Sequence, residues 1–178
     1  MPNVTEAPTV HYDQDRNKVT IYRGASNASV ELVQPTYKRR KTNRLQEITF
    51  SDANETIELR DPHTYTAQPR AHATRRDGES VEIINRYGLW NNFGVACTSN
   101  TGRREVKVTA DVADSIIRER VQGFAARHPE LAAQLGTMNL SIGKFNGYDA
   151  TVAELFAAPR VPHNPAVAAG NPTKKLCK

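Results

Sequence analysis

Thr64-Tyr-Thr-Ala-Gln-Pro-Arg-Ala-His-Ala-Thr-Arg-Arg76 reads as a strand with two unlike faces. In an extended chain successive side chains point to opposite sides. Thr64, Thr66, Gln68, Arg70, His72, Thr74 and Arg76 then share one face, uniformly polar and partly cationic. Tyr65, Ala67, Pro69, Ala71, Ala73 and Arg75 share the other, which is mostly small and apolar. Such alternation belongs to an antiparallel sheet with one face on a core and the other uncovered. Pro69 has no ladder donor, which predicts an edge position or a bulge there.

The pattern continues on both sides of this stretch. Upstream, Val19 and Ile21 alternate with polar residues, Gly24 to Asn27 is turn-like, and Val30 and Leu32 resume the alternation, which predicts an N-terminal hairpin. Ile48 and Phe50 pair by the same logic with Ile57 and Leu59 across the turn Ser51 to Asn54, and Asp61-Pro62 ends that strand. Downstream, Asp77-Gly78 is a turn pair, Val81 and Ile83 restart a strand, Val95 to Thr98 is another, and Val106 and Val108 follow the turn Asn100 to Gly102. Short strands joined by turns predict an antiparallel sheet rather than βαβ units.

The period then changes. From Asp114 to Arg127, Ile116, Ile117, Val121, Phe124 and Ala125 fall on one helical face, with Asp111 or Asp114 as candidate caps. Pro129 stops that helix and opens a second at its first position, with Leu131 and Leu135 inward and Gly136 as its end. Met138, Leu140 and Ile142 alternate as a short strand, and Thr151-Val-Ala-Glu154 is a capping box before a last short helix. The predicted fold class is therefore α+β: an antiparallel sheet with an N-terminal hairpin and C-terminal helices, packed on one face or across a dimer. The expected organisation is a loosely held N-terminal arm over residues 1–16, one β-rich domain over 17–158, and a Pro-rich basic tail over 159–178 carrying Lys174, Lys175 and Lys178.

At 178 residues the chain is one domain's worth and can bury roughly 70% of its unfolded surface, so it needs no staple to fold. Its hydrophobic fraction is 38% and its mean hydropathy -0.61, which suits a thin core or one completed by a partner. The expected partner arrangement is a homo-oligomer, a dimer or a larger closed assembly, with Ile116, Ile117, Val121 and Phe124 at the interface between protomers. No stretch has the form of a signal peptide or of a membrane span. The two cysteines, Cys97 and Cys177, make no disulfide framework and point to a reducing compartment or to an assembly without bridges.

Catalytic chemistry is not expected. His11, His63, His72, His128 and His163 lack metal-ligand spacing, so no metal and no cofactor are expected. Gly102, Gly143 and Gly147 lack the strand-loop-helix context of a phosphate loop. Asp111, Asp114 and Glu119 read as helix-start acids. A nucleophile at Cys97 would need a histidine placed by the fold.

The cations carry the functional reading. A net charge of +5 and a pI near 9.4 favour polyanionic partners. The candidate nucleic-acid contacts are Lys38, Arg39, Arg40, Lys41 and Arg44 in a basic run, Arg70, His72, Thr74 and Arg76 on the polar strand face, and Arg103, Arg104 and Lys107 around a later strand.

The order of elements resembles the coat proteins of single-stranded RNA bacteriophages. Val19-Thr-Ile-Tyr-Arg-Gly-Ala-Ser26 is similar to the opening strand and turn of some such coats, and the strand Arg104 to Ala110 running into the helix Ile116 to Phe124 is similar to their last strand and first helix. The likeness is one of pattern over residues 17–136, without a diagnostic motif. The chain is longer than usual for that family and adds a Pro-rich basic tail and a strand after the helix. The resemblance implies a sheet that lines the inside of a shell and faces RNA, helices that pack onto a partner, and a location in the virion, or otherwise in the cytoplasm. The alternatives are a basic nucleic-acid-binding or interaction module that forms no shell, and an enzyme whose site the sequence does not display.

Overall fold

The computed structural model describes residues 8–15, 17–23, 27–34, 43–61, 69–85, 93–143 and 149–157. The strands are β1 (Thr9–Asp13), β2 (Lys18–Arg23), β3 (Ala28–Val33), β4 (Arg44–Leu45), β5 (Glu47–Ser51), β6 (Glu55–Arg60), β7 (Ala71–Arg75), β8 (Ser80–Asn85), β9 (Phe93–Ser99) and β10 (Gly102–Val108). Then come α1 (Ala110–Arg127), α2 (Pro129–Gly136), β11 (Ser141–Gly143), β12 (Asp149–Thr151) and α3 (Val152–Phe156). The fold is α+β, as the change of period predicts. Nine strands form one antiparallel sheet in chain order, β1-β2-β3-β5-β6-β7-β8-β9-β10, and β4 joins β11 and β12 in a small second sheet.

Two apolar rows run across the large sheet. One is Val10-Ile21-Val30-Phe50-Ile57-Ala73-Val81-Cys97, and it ends at Arg104. The other is Tyr12-Val19-Leu32-Ile48-Leu59-Ala71-Ile83-Val95-Val106. The helices lie over the middle of both rows. Val112, Ile116, Val121, Phe124, Leu131 and Leu135 join Phe50, Ile57 and Ile83 in one core. Phe50 meets Phe124 edge-on at 5.2 Å and Phe156 at 6.4 Å, the geometry that aromatic quadrupoles favour.

Helix starts follow their caps. Thr109 caps α1 by accepting the Val112 amide, two residues before Asp111 and five before Asp114, the caps that the sequence suggested. Pro129 opens α2, and Thr151 accepts the Glu154 amide at the start of α3, as the capping box predicts. Gly78, at φ +93°, closes the β7–β8 turn with a backbone that side chains rarely adopt.

A buried ionic clamp ties α1 to the β5–β6 turn. Asp52 Oδ1 accepts the amides of Asn54 and Glu55, and Asp52 Oδ2 lies 2.9 Å from Arg127 Nε and 2.7 Å from His128 Nε2. Arg127 also donates to Glu55 Oε1 at 2.9 Å. Burial by itself would raise the Asp52 pKa. The Glu55 amide, His128, Arg127 and the Asn54 amide outweigh it and bring the carboxyl from 3.8 down to about 2.

Four expectations change. Residues 9–13 of the proposed loose arm are a paired strand, because Val10 and Tyr12 continue the apolar rows. Pro69 precedes β7, which sits in the middle of the sheet rather than at an edge; the ladder begins one residue later, at the Arg70 amide, which donates to Ile83. Thr64 to Gln68 lie outside the described residues. Ile116, Ile117, Val121 and Phe124 are buried against their own sheet, not presented to a partner, because the turn at Thr109 folds α1 back over the strands that precede it. Cys97, half-buried in β9, is disulfide-bonded, against the expectation of an assembly without bridges; Cys177 lies outside the described residues.

Candidate nucleic-acid interface

On the face of the large sheet away from the helices most described side chains are half-buried, Thr20 and Ala96 are buried, and the side chains fall into rows fixed by the strand register. A hydroxyl row runs Tyr22-Ser29-Ser51-Thr56-Thr74-Ser80-Thr98-Arg103. At about 4.8 Å per strand it spans roughly 34 Å. Tyr22 is 49% exposed at one end, and Arg103 is exposed at the other. Ser51 and Thr56 approach to 3.4 Å, and Thr74 Oγ1 lies 2.9 Å from His72 Nε2. Exposed Arg76 continues β7 past Thr74; its guanidinium donates to the Asp52 carbonyl at 3.2 Å, beside this strip.

The next row is acidic. Glu31-Thr49-Glu58-His72-Glu82-Ala96-Glu105 crosses the middle of the same face. Gly94 makes room for Glu105, whose Oε1 lies 2.7 Å from where a Cβ would stand. On β2 to β10 the outward charges are Glu31, Glu47, Glu58, Glu82 and Glu105 against Lys18, Arg60, Arg103 and Lys107. Lys18 pairs with Glu31 at 2.9 Å, and Arg60 with Glu58 at 3.1 Å. The basic face expected from one strand is therefore charge-balanced once its neighbours are in place. Period 2 fixes which side His72 points to, but not what lies beside it.

The predicted contacts separate accordingly. Lys38, Arg39, Arg40 and Lys41 lie outside the described residues. Arg44 is held by Asp61 at 2.7 Å and by Asp149 at 3.4 Å, so it braces the small sheet. The Arg70 pKa is lowered by burial, against the pull of Asp61. His72 sits between Glu58 and Glu82. Arg76, Arg103, Arg104 and Lys107 are exposed, but Arg104 projects to the helix side of β10 while Arg103 and Lys107 project to the other. Thr74 lies within the hydroxyl row. Tyr22, Ser29, Ser51, Thr56, Ser80 and Thr98 escaped the sequence reading, because only register brings them into line.

No family model, no curated protein and no solved structure matches the chain. Among the described residues no group of three or more His, Cys, Asp or Glu side chains could hold a metal ion, and no helix is long and apolar enough to cross a membrane. While its disulfide stands, Cys97 offers no thiolate for nucleophilic chemistry.

Proposed function

We propose that this protein is a self-assembling coat or other virion structural protein that binds packaged nucleic acid along the hydroxyl row of the sheet face away from its helices. The observation that carries the reading is that row: hydroxyl donors at strand spacing, an exposed tyrosine towards one end, Arg103 at the other, and Arg76 beside its middle. Hydroxyls and arginines hold phosphates, and an exposed aromatic ring offers a stacking surface for an unpaired base. The neighbouring glutamates repel a backbone from the middle of the sheet and so confine it to one track. Single-stranded nucleic acid fits such a track, since its unpaired bases are free to stack on an exposed ring such as Tyr22. A broad sheet whose described helices lie on one side leaves its other face for RNA, as the coat-protein resemblance implies, although here the helices pack on their own sheet and not on a partner.

The acidic centre of the face favours a second reading, an interaction module that forms no shell and contacts polyanions through the run at residues 38–41. Two measurements on the purified protein separate them. Negative-stain electron microscopy is expected to show closed particles. Titration of a single-stranded RNA is expected to show affinity that falls with salt, with a slope lowered by about 1.4 in the double variant Arg76→Ala, Arg103→Ala, since each lost phosphate contact on a single strand accounts for about 0.7. Particles without RNA binding would leave assembly and remove the track. RNA binding with an unchanged slope and no particles would establish the module instead.

A further inference from the structure

The two edges of the large sheet differ in chemistry. At β10 the exposed residues include Gly102, Arg103, Arg104 and Lys107, the charged guard that keeps edge strands from pairing. At β1 there is no such guard. The edge reads Thr9-Val-His-Tyr-Asp13, and both apolar rows run out into it. Val10 is 51% and Tyr12 49% exposed, on the side where the helices cover the rest of the rows. With Tyr22 on the opposite face of β2, they are the exposed large hydrophobic residues among those described.

We infer that β1 pairs antiparallel with β1 of a second copy of this chain, about a two-fold axis through His11. The strand is self-complementary in that register. Val10 stands opposite the partner's Tyr12, and Tyr12 opposite the partner's Val10, so each apolar row of one copy joins the other row of its mate. A β-branched residue across from an aromatic one is a favourable cross-strand pair. Thr9 stands opposite the partner's Asp13, a hydroxyl donor facing a carboxylate. No like charges of fixed sign meet. Because the residues related by the two-fold have the same parity, both helical layers lie on the same side of the joined sheet, and both hydroxyl rows lie on the other. A second copy suits this edge better than a different partner does, since an isologous contact needs one patch that complements itself. The turn after β1 is fixed within the chain: Tyr12 donates its hydroxyl to Asn17 Oδ1 at 3.1 Å, and the Asn17 amide side chain donates to the Gln34 carbonyl at 2.9 Å. The strand is thus ordered before it meets a partner, which lowers the entropy cost of pairing.

The inference deepens the self-association part of the proposed function but does not need a shell. The test uses the full chain in two forms. Sedimentation velocity of the wild type is expected to give a species of at least twice the 19.8 kDa chain mass. The double variant Val10→Lys, Tyr12→Lys, with both changes at half-exposed positions outside the core, is expected to keep its circular dichroism and to weaken association at least about 100-fold. In His11→Cys, oxidation is expected to give a covalent dimer whose linked peptides join position 11 to position 11, because residues facing each other across an antiparallel pair lie about 4.5–5.5 Å apart at Cα, within disulfide reach. Association unchanged in the double variant would overturn the inference. So would a monomeric wild type whose β1 is covered by its own residues 1–7, recognised by dimerisation that appears only when those residues are removed. Particles that persist in the double variant would overturn it while sparing the coat reading; a β1-dependent dimer that forms no particles would do the reverse.

Discussion

At β10 the large sheet ends in charge, and at β1 it ends in two uncovered apolar rows. The same rows, a few strands inward, are closed over by α1 to α3 and form the core. The difference lies in the helices' reach, since α1 contacts β9 and α2 contacts β2, while Val10 and Tyr12 of β1 stay half-exposed. A row of alternating apolar residues is thus a core in one place and a surface in another. What decides its role is the layer packed on it.

The largest expected effect separates the covered and uncovered parts of one sheet. Phe124→Ala should destabilise the protomer by about 3–5 kcal/mol, because it opens a cavity against Phe50 where the neighbours cannot collapse. Tyr12→Ala should change protomer stability by less than about 1.5 kcal/mol, since it loses only an exposed hydroxyl bond to Asn17. Urea denaturation at a concentration below that of association checks both. Equal losses would mean that β1 belongs to the core after all.

The next effect concerns the clamp that fixes the covered end. Arg127→Ala leaves Asp52 and Glu55 buried with fewer donors and should cost about 1–3 kcal/mol, measured the same way. The clamp also sets an acid limit. The Asp52 pKa is depressed in the folded state, so its contribution is present in full above the unfolded value of 3.8 and is lost as pH falls toward about 2. Stability of the wild type should therefore fall through that window, and Asp52→Asn should be less stable at neutral pH but show a shallower fall. Equal slopes in a pH series of thermal melts would remove Asp52 from the account.

The smallest expected effect on stability tests the guard. Arg104→Thr with Lys107→Thr should leave the protomer within about 0.5 kcal/mol of wild type, both being exposed edge positions. It should nevertheless create self-association at β10 that the wild type lacks, visible as a new sedimenting species. Without that species, charge is not what keeps β10 apart.

Much of the fold was legible because burial and alternation coincide. Ile21 opposite Val30 and Phe50 opposite Ile57 are pairs that the hydrophobic pattern and the turns dictate together. The helices followed from the change of period at Asp114 and from Pro129. The outward face was less legible, for a physical reason. Its residues gain no burial, so nothing in the local sequence ties Ser51 to Thr98, or His72 to Glu58 and Glu82; only the accumulated register of the meander does so. The small sheet escaped in part for the same reason, since the parallel pairing of Arg44 and Leu45 with Ser141 and Ile142 joins distant segments over very few residues. Arg44 read as a phosphate contact because its partners, Asp61 and Asp149, arrive from other strands.

Hydrogen exchange of the two edge strands tests the central contrast most directly. In either strand the amides that point away from the sheet have no neighbouring strand among the described residues. If β1 pairs with a second copy, its outward amides should exchange slowly at high protein concentration and at least about tenfold faster on dilution, while the outward amides of β10 exchange fast at every concentration. Fast exchange throughout β1 at all concentrations, or a dilution effect confined to β10, would contradict the account.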